Sequence, residues 1–172
     1  NPAKGIERYA EEKREKYLKP DEIRRLSQAF SDYVTLAQRP SQAQMASDAI
    51  RLLMLTGARR SEVLSATWAM FDFDDGVWTK PSSHTKQKKT HRVPLSSPAL
   101  QLLQDIKGRT PSSTYVFPSR SGSKHPHLME LKKAWIKICG LAELDDVRIH
   151  DLRHTYASIL ASGGASLPLI GA

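Results

Sequence analysis

A histidine and an arginine three positions apart, His150 and Arg153, are the first residues in this sequence that could act together on a ligand. On a helix this spacing places both side chains on one face, about 5 to 6 Å apart at their Cβ atoms. A guanidinium can bind two oxygens of one phosphate and stays charged at any useful pH, while an imidazole exchanges a proton near neutrality. The two side chains together could hold one phosphate, but for an isolated pair at this spacing an ordinary solvent-facing His and Arg is the favoured interpretation.

Further basic residues lie where the chain is expected to turn. Arg59 and Arg60 follow Gly57, a residue that can form the left-handed turn at the end of a helix. Residues 80–92 contain five Lys or Arg, two His and no acid, and we interpret them as the tip of a hairpin between two short strands. Helix ends and hairpin tips are places where functional groups collect. A solvated basic turn is the alternative interpretation of that stretch.

The elements that must position these residues are mostly helical. Apolar spacing, caps and glycine stops predict helices at about residues 20–34, 43–55, 61–68, 97–108, 126–139 and 150–161. Alternation predicts strands at about residues 77–79 and 91–95, with a short strand at 115–117 as a further candidate. The predicted fold class is mainly α with a small antiparallel β-sheet or hairpin (α+β).

The charge balance favours a polyanionic partner. Lys and Arg number 26 against 18 acids, a formal net charge of +8, and such an excess is common in nucleic-acid-binding domains. We predict a nucleic acid as the partner. The predicted DNA-contacting residues, in and near the hairpin and in a Ser/Gly/Lys loop at residues 119–125, are Lys80, Lys88, Lys89, Arg92, Arg120 and Lys124.

Composition argues against several other classes of protein. No apolar run approaches the ~20 residues that span a bilayer, so a membrane protein is not expected. Cys139 is the single cysteine, which leaves no partner for an intramolecular disulfide and no thiol cluster for zinc. A reducing, cytoplasmic location is therefore predicted.

Three of these segments, in this order, resemble the tyrosine recombinase (phage integrase) family along nearly all of the chain. They are residues 56–64 (TGARRSEVL), a hairpin lysine followed by residues 92–96 (RVPLS), and residues 150–155 (HDLRHT). The ordered combination is far more specific than any of its parts. The resemblance implies a catalytic domain of that fold, with residues 1–17 as a linker or entry segment and residues 18–172 as the domain, incomplete at its C-terminal end.

The resemblance also implies roles for individual residues. The implied catalytic set is Arg59, Lys86, His150 and Arg153. Arg59 is preferred over Arg60 as the first arginine, and Lys88 is the second choice for the hairpin lysine. Glu62 matches an acid that supports the turn at residues 56–60, here called the arginine turn. Tyr156 matches a position that packs within the helix. The family pattern continues with its nucleophilic tyrosine on a later helix, which is expected beyond residue 172.

The resemblance implies a reaction without a cofactor or a metal ion. A tyrosine attacks a DNA phosphodiester to give a 3′-phosphotyrosyl link and a free 5′-hydroxyl, which later attacks the partner strand. Arg59 and Arg153 would neutralise the transition state, His150 would assist proton movement or hold the phosphate, and Lys86 would act as general acid at the leaving 5′-oxygen. Double-stranded DNA and other recombinase protomers assembled on it are the implied partners, and the chain alone is expected to be inactive.

Two alternatives remain open at this point. A basic helical domain that binds nucleic acid without chemistry explains the charge but not the ordered motifs. A metal-dependent nuclease using Asp145, Asp146 and Asp151 is disfavoured, because adjacent aspartates diverge on a helix and no Glu or His accompanies them at a ligand spacing.

Overall fold

The computed structural model describes residues 16–81 and 90–163. Within them the chain forms six α-helices, one 3-10 turn at Trp68–Met70 and three β-strands. The helices are α1 (Pro20–Thr35), α2 (Pro40–Thr56), α3 (Arg60–Leu64), α4 (Ser97–Arg109), α5 (Lys132–Leu141) and α6 (Asp151–Ala161). The strands are β1 (Phe71–Asp72), β2 (Val77–Lys80) and β3 (His91–Pro94). The predicted class, mainly α with a small antiparallel sheet, is confirmed.

Helix α2 lies at the centre of the core. Most of its residues are buried, and Ala49, Ile50 and Leu52 have no exposed surface. It contacts α1, α3, α4, α5 and α6, as expected for a helix that is apolar around most of its circumference. The turn that follows α2 is therefore attached to the buried centre of the fold. None of the helices in the described residues is long and apolar enough to cross a membrane.

The sheet forms the base of the predicted hairpin. Its strand order is β1-β2-β3 with antiparallel pairing, and Trp78 lies opposite both Phe71 and Val93. Trp78 is fully buried and its ring stacks on Phe71 with 5.1 Å between centroids. Side chains alternate along a strand, so Lys80 lies on the same buried side as Trp78. Most of the hairpin tip predicted at residues 80–92, namely residues 82–89, lies outside the described residues.

The helix predicted from Pro126 begins six residues later, and that prediction of its start is wrong. The chain at residues 117–128 instead folds back on itself: Ser119 N donates to Pro126 O at 3.2 Å, and Leu128 N donates to Phe117 O at 2.8 Å. Helix α5 starts only where the Glu130 carboxylate accepts hydrogen bonds from the backbone amides of Leu131 and Lys132, at 3.0 and 2.8 Å. Proline is suited both to the first position of a helix and to turns. Pro126 lies in the folded-back segment and not in a helix.

The short third helix ends before Trp68, which the sequence had placed on it. Helix α3 stops at Leu64, and the next residues pair with a distant segment: Val116 N donates to Ala66 O at 3.0 Å, and Trp68 N donates to Thr114 O at 3.1 Å. The candidate strand at residues 115–117 is a single bridge between Thr67 and Tyr115. These long-range backbone bonds replace the helical ones that local spacing had suggested.

The turn after α2 requires glycine for two separate reasons. Gly57 has φ +58°, in the left-handed region, and its N–H donates to Leu53 O, as the sequence predicted for this helix end. In addition, a Cβ at this position would lie 2.3 Å from Cδ1 of Tyr156, because the ring of that α6 residue packs directly on the glycine. Gly57 thus permits the close approach of α6 to the end of α2.

Substitution of Gly57 by alanine is therefore expected to destabilise the fold. Left-handed backbone alone costs an L-residue roughly 1–2 kcal/mol, and displacement of the Tyr156 ring adds to that. Gly108→Ala in α4 is the matched control, since a Cβ there would meet no atom within 4 Å and is expected to leave stability unchanged or slightly raised. Chemical denaturation of both variants checks this. Equal midpoints for the two variants would contradict the argument.

Candidate active site

Arg59 is held by a carboxylate from its own helix. It is the N-cap residue of α3, and Oε2 of Glu62 accepts a hydrogen bond from its backbone N–H at 3.0 Å. The other oxygen, Oε1, lies 2.8 Å from Nη1 of the same arginine. Glu62 is buried, whereas the Arg59 side chain is 47% exposed. A glutamate at this position of a helix commonly reaches back to the N-cap amide. The prediction that Glu62 supports the arginine turn is confirmed.

Lys80 does not lie where the sequence analysis placed it. The predicted role was a direct contact to DNA, but the Lys80 side chain is 6% exposed and its Nζ lies 2.7 Å from Oε2 of Glu62. The same ammonium sits 4.3 Å from the ring centroid of Trp78. A buried ammonium keeps its charge only when paired in this way. Lys80 is therefore an interior cation of the site and is removed from the set of surface contacts.

Arg153 reaches the same place from the other end of the chain. Its Nη1 donates a hydrogen bond to the carbonyl of Gly57, two residues before Arg59. The ring of Tyr156, one turn further along α6, packs on the same glycine. Both arginines are close enough to Lys80 to repel its ammonium electrostatically. The structure thus brings Arg59 and Arg153 together, although 93 positions separate them in the sequence.

His150 lies at the start of α6 with its imidazole exposed. It is the N-cap residue of this helix, and its ring meets that of His154 edge-on with 5.3 Å between centroids. The helix start is fixed by Asp151, whose Oδ2 accepts from Arg148 N at 2.8 Å. It is fixed also by Thr155, whose Oγ1 accepts from Leu18 N at 3.0 Å. These bonds set the direction of α6, and with it the positions of His150 and Arg153.

The remaining predicted residues divide into two groups. Lys86, Lys88 and Lys89 lie outside the described residues. Arg92, Arg120 and Lys124 are exposed, and Arg92 has a weak surface contact with Asp75 at 3.8 Å. Arg60, the alternative to Arg59, points elsewhere and lies 3.7 Å from Glu130. This contact links the arginine turn to the segment that precedes α5.

Glu62 and Lys80 are buried at the site, and the pKa of each is lowered. The lowered pKa favours the charged form of Glu62 and disfavours the charged form of Lys80. Burial alone would raise the pKa of Glu62, but hydrogen bonds from Lys80 and Arg59 and the charge of Lys80 outweigh it, so the pKa lies below 4.5. The pKa of Lys80 is lowered, mainly by burial and further by Arg153 and Arg59, against the opposing effect of Glu62. Lys80 and Arg59 thus stabilise the charged form of Glu62, although these two cations repel each other.

Metal ligands are not clustered in the described residues. Residues 16–81 and 90–163 contain no group of three His, Cys, Asp or Glu side chains that could hold a metal ion. The Asp151 carboxylate is used to hold the start of α6. Asp145 and Asp146 accept hydrogen bonds from Lys16 through their backbone carbonyls, at 2.6 and 3.1 Å.

Comparison with known proteins identifies a family whose sequence profile matches this chain. The profile of the phage integrase family matches residues 16–172, which include the arginine turn and α6. The chain belongs to the phage integrase family. Among related integrases, the prophage integrase IntZ of Escherichia coli K12 is 34% identical over 120 residues, 70% of this chain and 29% of IntZ. The integrase of Salmonella phage P22 is 27% identical over 167 residues, 92% of this chain and 40% of that protein.

Solved structures show the same integrase fold. The XerH site-specific recombinase bound to difH has a TM-score of 0.68 at 19% identity, covering 90% of this chain and 45% of XerH. The catalytic domain of bacteriophage HP1 integrase has a TM-score of 0.54 at 23% identity, covering 90% of this chain and 77% of that domain. This chain spans less than half the length of IntZ and of the P22 integrase. Its fold is that of a tyrosine recombinase catalytic domain.

The lowered pKa of Glu62 predicts a specific pH dependence of stability. Because the folded pKa lies below the unfolded value near 4.5, the contribution of this carboxylate is fully present above pH 4.5 and is lost as the pH falls through the folded value. Wild type should therefore be more stable than Glu62→Gln by about 1–3 kcal/mol at neutral pH. The difference should shrink below pH 4.5, as measured by denaturant unfolding at several pH values.

Glu143→Gln is the control for this experiment. The Glu143 side chain is 85% exposed, so its replacement is expected to change stability by no more than about 0.5 kcal/mol. A Glu62→Gln effect that stays constant between pH 7 and pH 3 would show that the charge of Glu62 does not contribute as described.

Proposed function

We propose that this chain forms most of the catalytic domain of a site-specific tyrosine recombinase, which cuts and rejoins DNA strands through a 3′-phosphotyrosyl intermediate. Membership of the phage integrase family supports this activity. One structural observation carries it: the Arg153 side chain donates a hydrogen bond to the Gly57 carbonyl, two residues before Arg59, so that two permanently charged guanidiniums lie at the same turn and near Lys80. Such a pair is suited to a phosphodiester.

The two arginines stabilise the transition state of phosphoryl transfer. Negative charge develops on the nonbridging oxygens as the nucleophile attacks, and preoriented guanidiniums neutralise it without reorganising. Arg59 is oriented by Glu62 and Arg153 by a backbone carbonyl, so each retains further N–H donors for phosphate oxygens. His150, the N-cap residue of α6 and three residues before Arg153, assists proton movement or holds the phosphate. Lys86 protonates the leaving 5′-oxygen.

The nucleophile of this proposal is a tyrosine beyond residue 172. Tyr156 is nearest to the arginines along α6, but its ring is packed against Gly57. That contact gives the ring a structural use, in keeping with the sequence prediction. A free 5′-hydroxyl then attacks the phosphotyrosyl bond, so the energy of the phosphodiester is conserved and no cofactor is required.

Double-stranded DNA is the proposed partner. The net charge of +8 and the exposed side chains of Arg92, Arg120 and Lys124 support backbone contacts, and Lys88 and Lys89 extend the predicted set. Among the structural relatives, XerH is bound to difH and the Tn1549 transposon integrase, with a TM-score of 0.62 at 16% identity, is in complex with circular intermediate DNA. Assembly with further recombinase protomers on DNA, in the cytoplasm, completes the proposal.

A suicide-substrate assay tests the chemistry. A protein extended past residue 172 is expected to form a covalent adduct with nicked DNA that carries its own recombination site, in the presence of chelator. The 172-residue chain is expected to form none. Arg59→Lys and Arg153→Lys should each slow adduct formation by about 10²-fold or more, since lysine cannot reproduce the forked contact. Arg24→Lys, at an exposed position on α1, should have no effect.

Two outcomes would overturn the proposed function. Sequence-specific DNA binding by the extended protein without any adduct would favour the alternative, a non-catalytic nucleic-acid-binding domain. An adduct formed by the 172-residue chain and abolished by Tyr156→Phe would instead place the nucleophile within this sequence.

Salt dependence tests the DNA-contacting surface separately. Each phosphate contact releases counterions, so loss of one contact should lower the slope of log K against log salt by roughly 1. Arg120→Ala and Lys124→Ala are expected to do so in a fluorescence anisotropy titration. Lys107→Ala is the control, because its ammonium lies 4.8 Å from the Phe73 ring centroid. Unchanged slopes for both test variants would exclude this loop from the DNA surface.

A further inference from the structure

We infer that Lys80 is a positioning residue of the proposed catalytic centre: its buried ammonium holds Glu62 in the orientation in which that carboxylate fixes the guanidinium of Arg59. The inference rests on the proposed function for its activity readout. It assigns a task to a lysine that lies six residues before the predicted hairpin lysine, inside the fold and not on the DNA-facing surface.

The first support is the way in which three donors share the Glu62 carboxylate. Oε2 accepts from Arg59 N at 3.0 Å and from Lys80 Nζ at 2.7 Å, whereas Oε1 lies 2.8 Å from Arg59 Nη1. Lys80 and Glu62 both have side chains that are about 95% buried. Since one oxygen is held by the backbone amide and the ammonium together, the other faces the guanidinium at a fixed angle. Without Lys80 that fixation would depend on the amide alone.

The second support is the local balance of charge. Lys80 and Arg59 contact the Glu62 carboxylate, and Arg153 lies near enough to Lys80 to repel it, so these four residues together carry a net charge of two positive units. A buried carboxylate that lacked its ammonium would attract the guanidiniums more strongly. Arg153 could then turn from the Gly57 carbonyl towards Glu62, and both arginines would have fewer N–H groups available for phosphate. Lys80 thus satisfies Glu62 in the interior and leaves the arginines facing outwards.

The third support is the rigidity of the ammonium itself. Strand β2 places Lys80 on the same side as Trp78, which is fully buried and stacked on Phe71. The ammonium lies 4.3 Å from the Trp78 ring centroid, a distance at which a cation is attracted to the ring face. Lysine is usually flexible, but here the ring and the carboxylate restrain it from two sides. The position of β2 therefore determines where the Lys80 ammonium contacts Glu62, and Glu62 in turn contacts Arg59.

The test uses the extended protein and single-turnover adduct formation at saturating DNA. Lys80→Met removes the charge and keeps the length of the side chain, and is expected to lower the cleavage rate per folded molecule by about tenfold or more. The dissociation constant for DNA should change by less than about threefold, because Lys80 is not on the surface. Lys80→Arg, which keeps a cation, should recover part of the rate. Lys80→Gln serves if the methionine variant fails to fold.

Two comparisons separate positioning from mere stability. Arg109→Met removes another cation that pairs with a buried carboxylate, Asp48, at 2.7 Å, and should lower the unfolding midpoint without changing the cleavage rate of the folded protein. If Lys80 acts through Arg59, the effects of Lys80→Met and Arg59→Lys on rate should not add in the double variant.

The outcomes distinguish this inference from the proposed function. No adduct from the wild-type extended protein would defeat the proposed function itself. A wild-type adduct formed at a rate that Lys80→Met and Lys80→Gln leave unchanged would overturn the inference alone. Additive effects of Lys80→Met and Arg59→Lys would also overturn it, since they would show that Lys80 does not work through Arg59.

Discussion

The arrangement of the site depends on a carboxylate buried at the start of α3. A charged carboxylate inside a protein is stable only when cations and N–H donors surround it. Glu62 meets this requirement with the backbone and guanidinium of Arg59 and the ammonium of Lys80. The requirement has structural consequences: β2 must end beside α3, and the arginine turn must keep its shape. The same contacts that satisfy the carboxylate determine which way Arg59 points.

A second constraint brings the distant half of the site to this turn. Gly57 ends α2 in a left-handed conformation and leaves no Cβ in the path of α6, so that the Tyr156 ring can pack on the backbone itself. The approach is close enough for Arg153 to donate to the Gly57 carbonyl. Helix α2 is the buried centre of the core. Both arginines are therefore positioned by the turn that ends this helix. Backbone packing therefore brings the two guanidiniums together, although like charges repel each other.

Local signals predicted much of this, and tertiary contacts explain the rest. Gly57 as a helix end and α6 from residue 151 were predictable, because cap residues and apolar spacing act within a few positions. Lys80 was misplaced because charge suggested the surface, although its period-two relation to Trp78 was a signal for the interior. Pro126 was misread as a helix start because its segment pairs with residues near Phe117. Propensity carries no information about such partners.

Net charge alone would not have revealed how the basic residues divide their work. Exposed cations such as Arg120 and Lys124 have water as the alternative to a phosphate, so under the proposed function each would add modest, salt-sensitive affinity for DNA. Lys80 has no such alternative, because its side chain is enclosed with Glu62, and it can only influence where neighbouring charges lie. Arg59 is intermediate, anchored at one nitrogen and half-exposed. The proposed stabilisation of a developing charge uses both kinds of residue. The buried residues fix the orientation of the guanidiniums, and the exposed ones contact the phosphate.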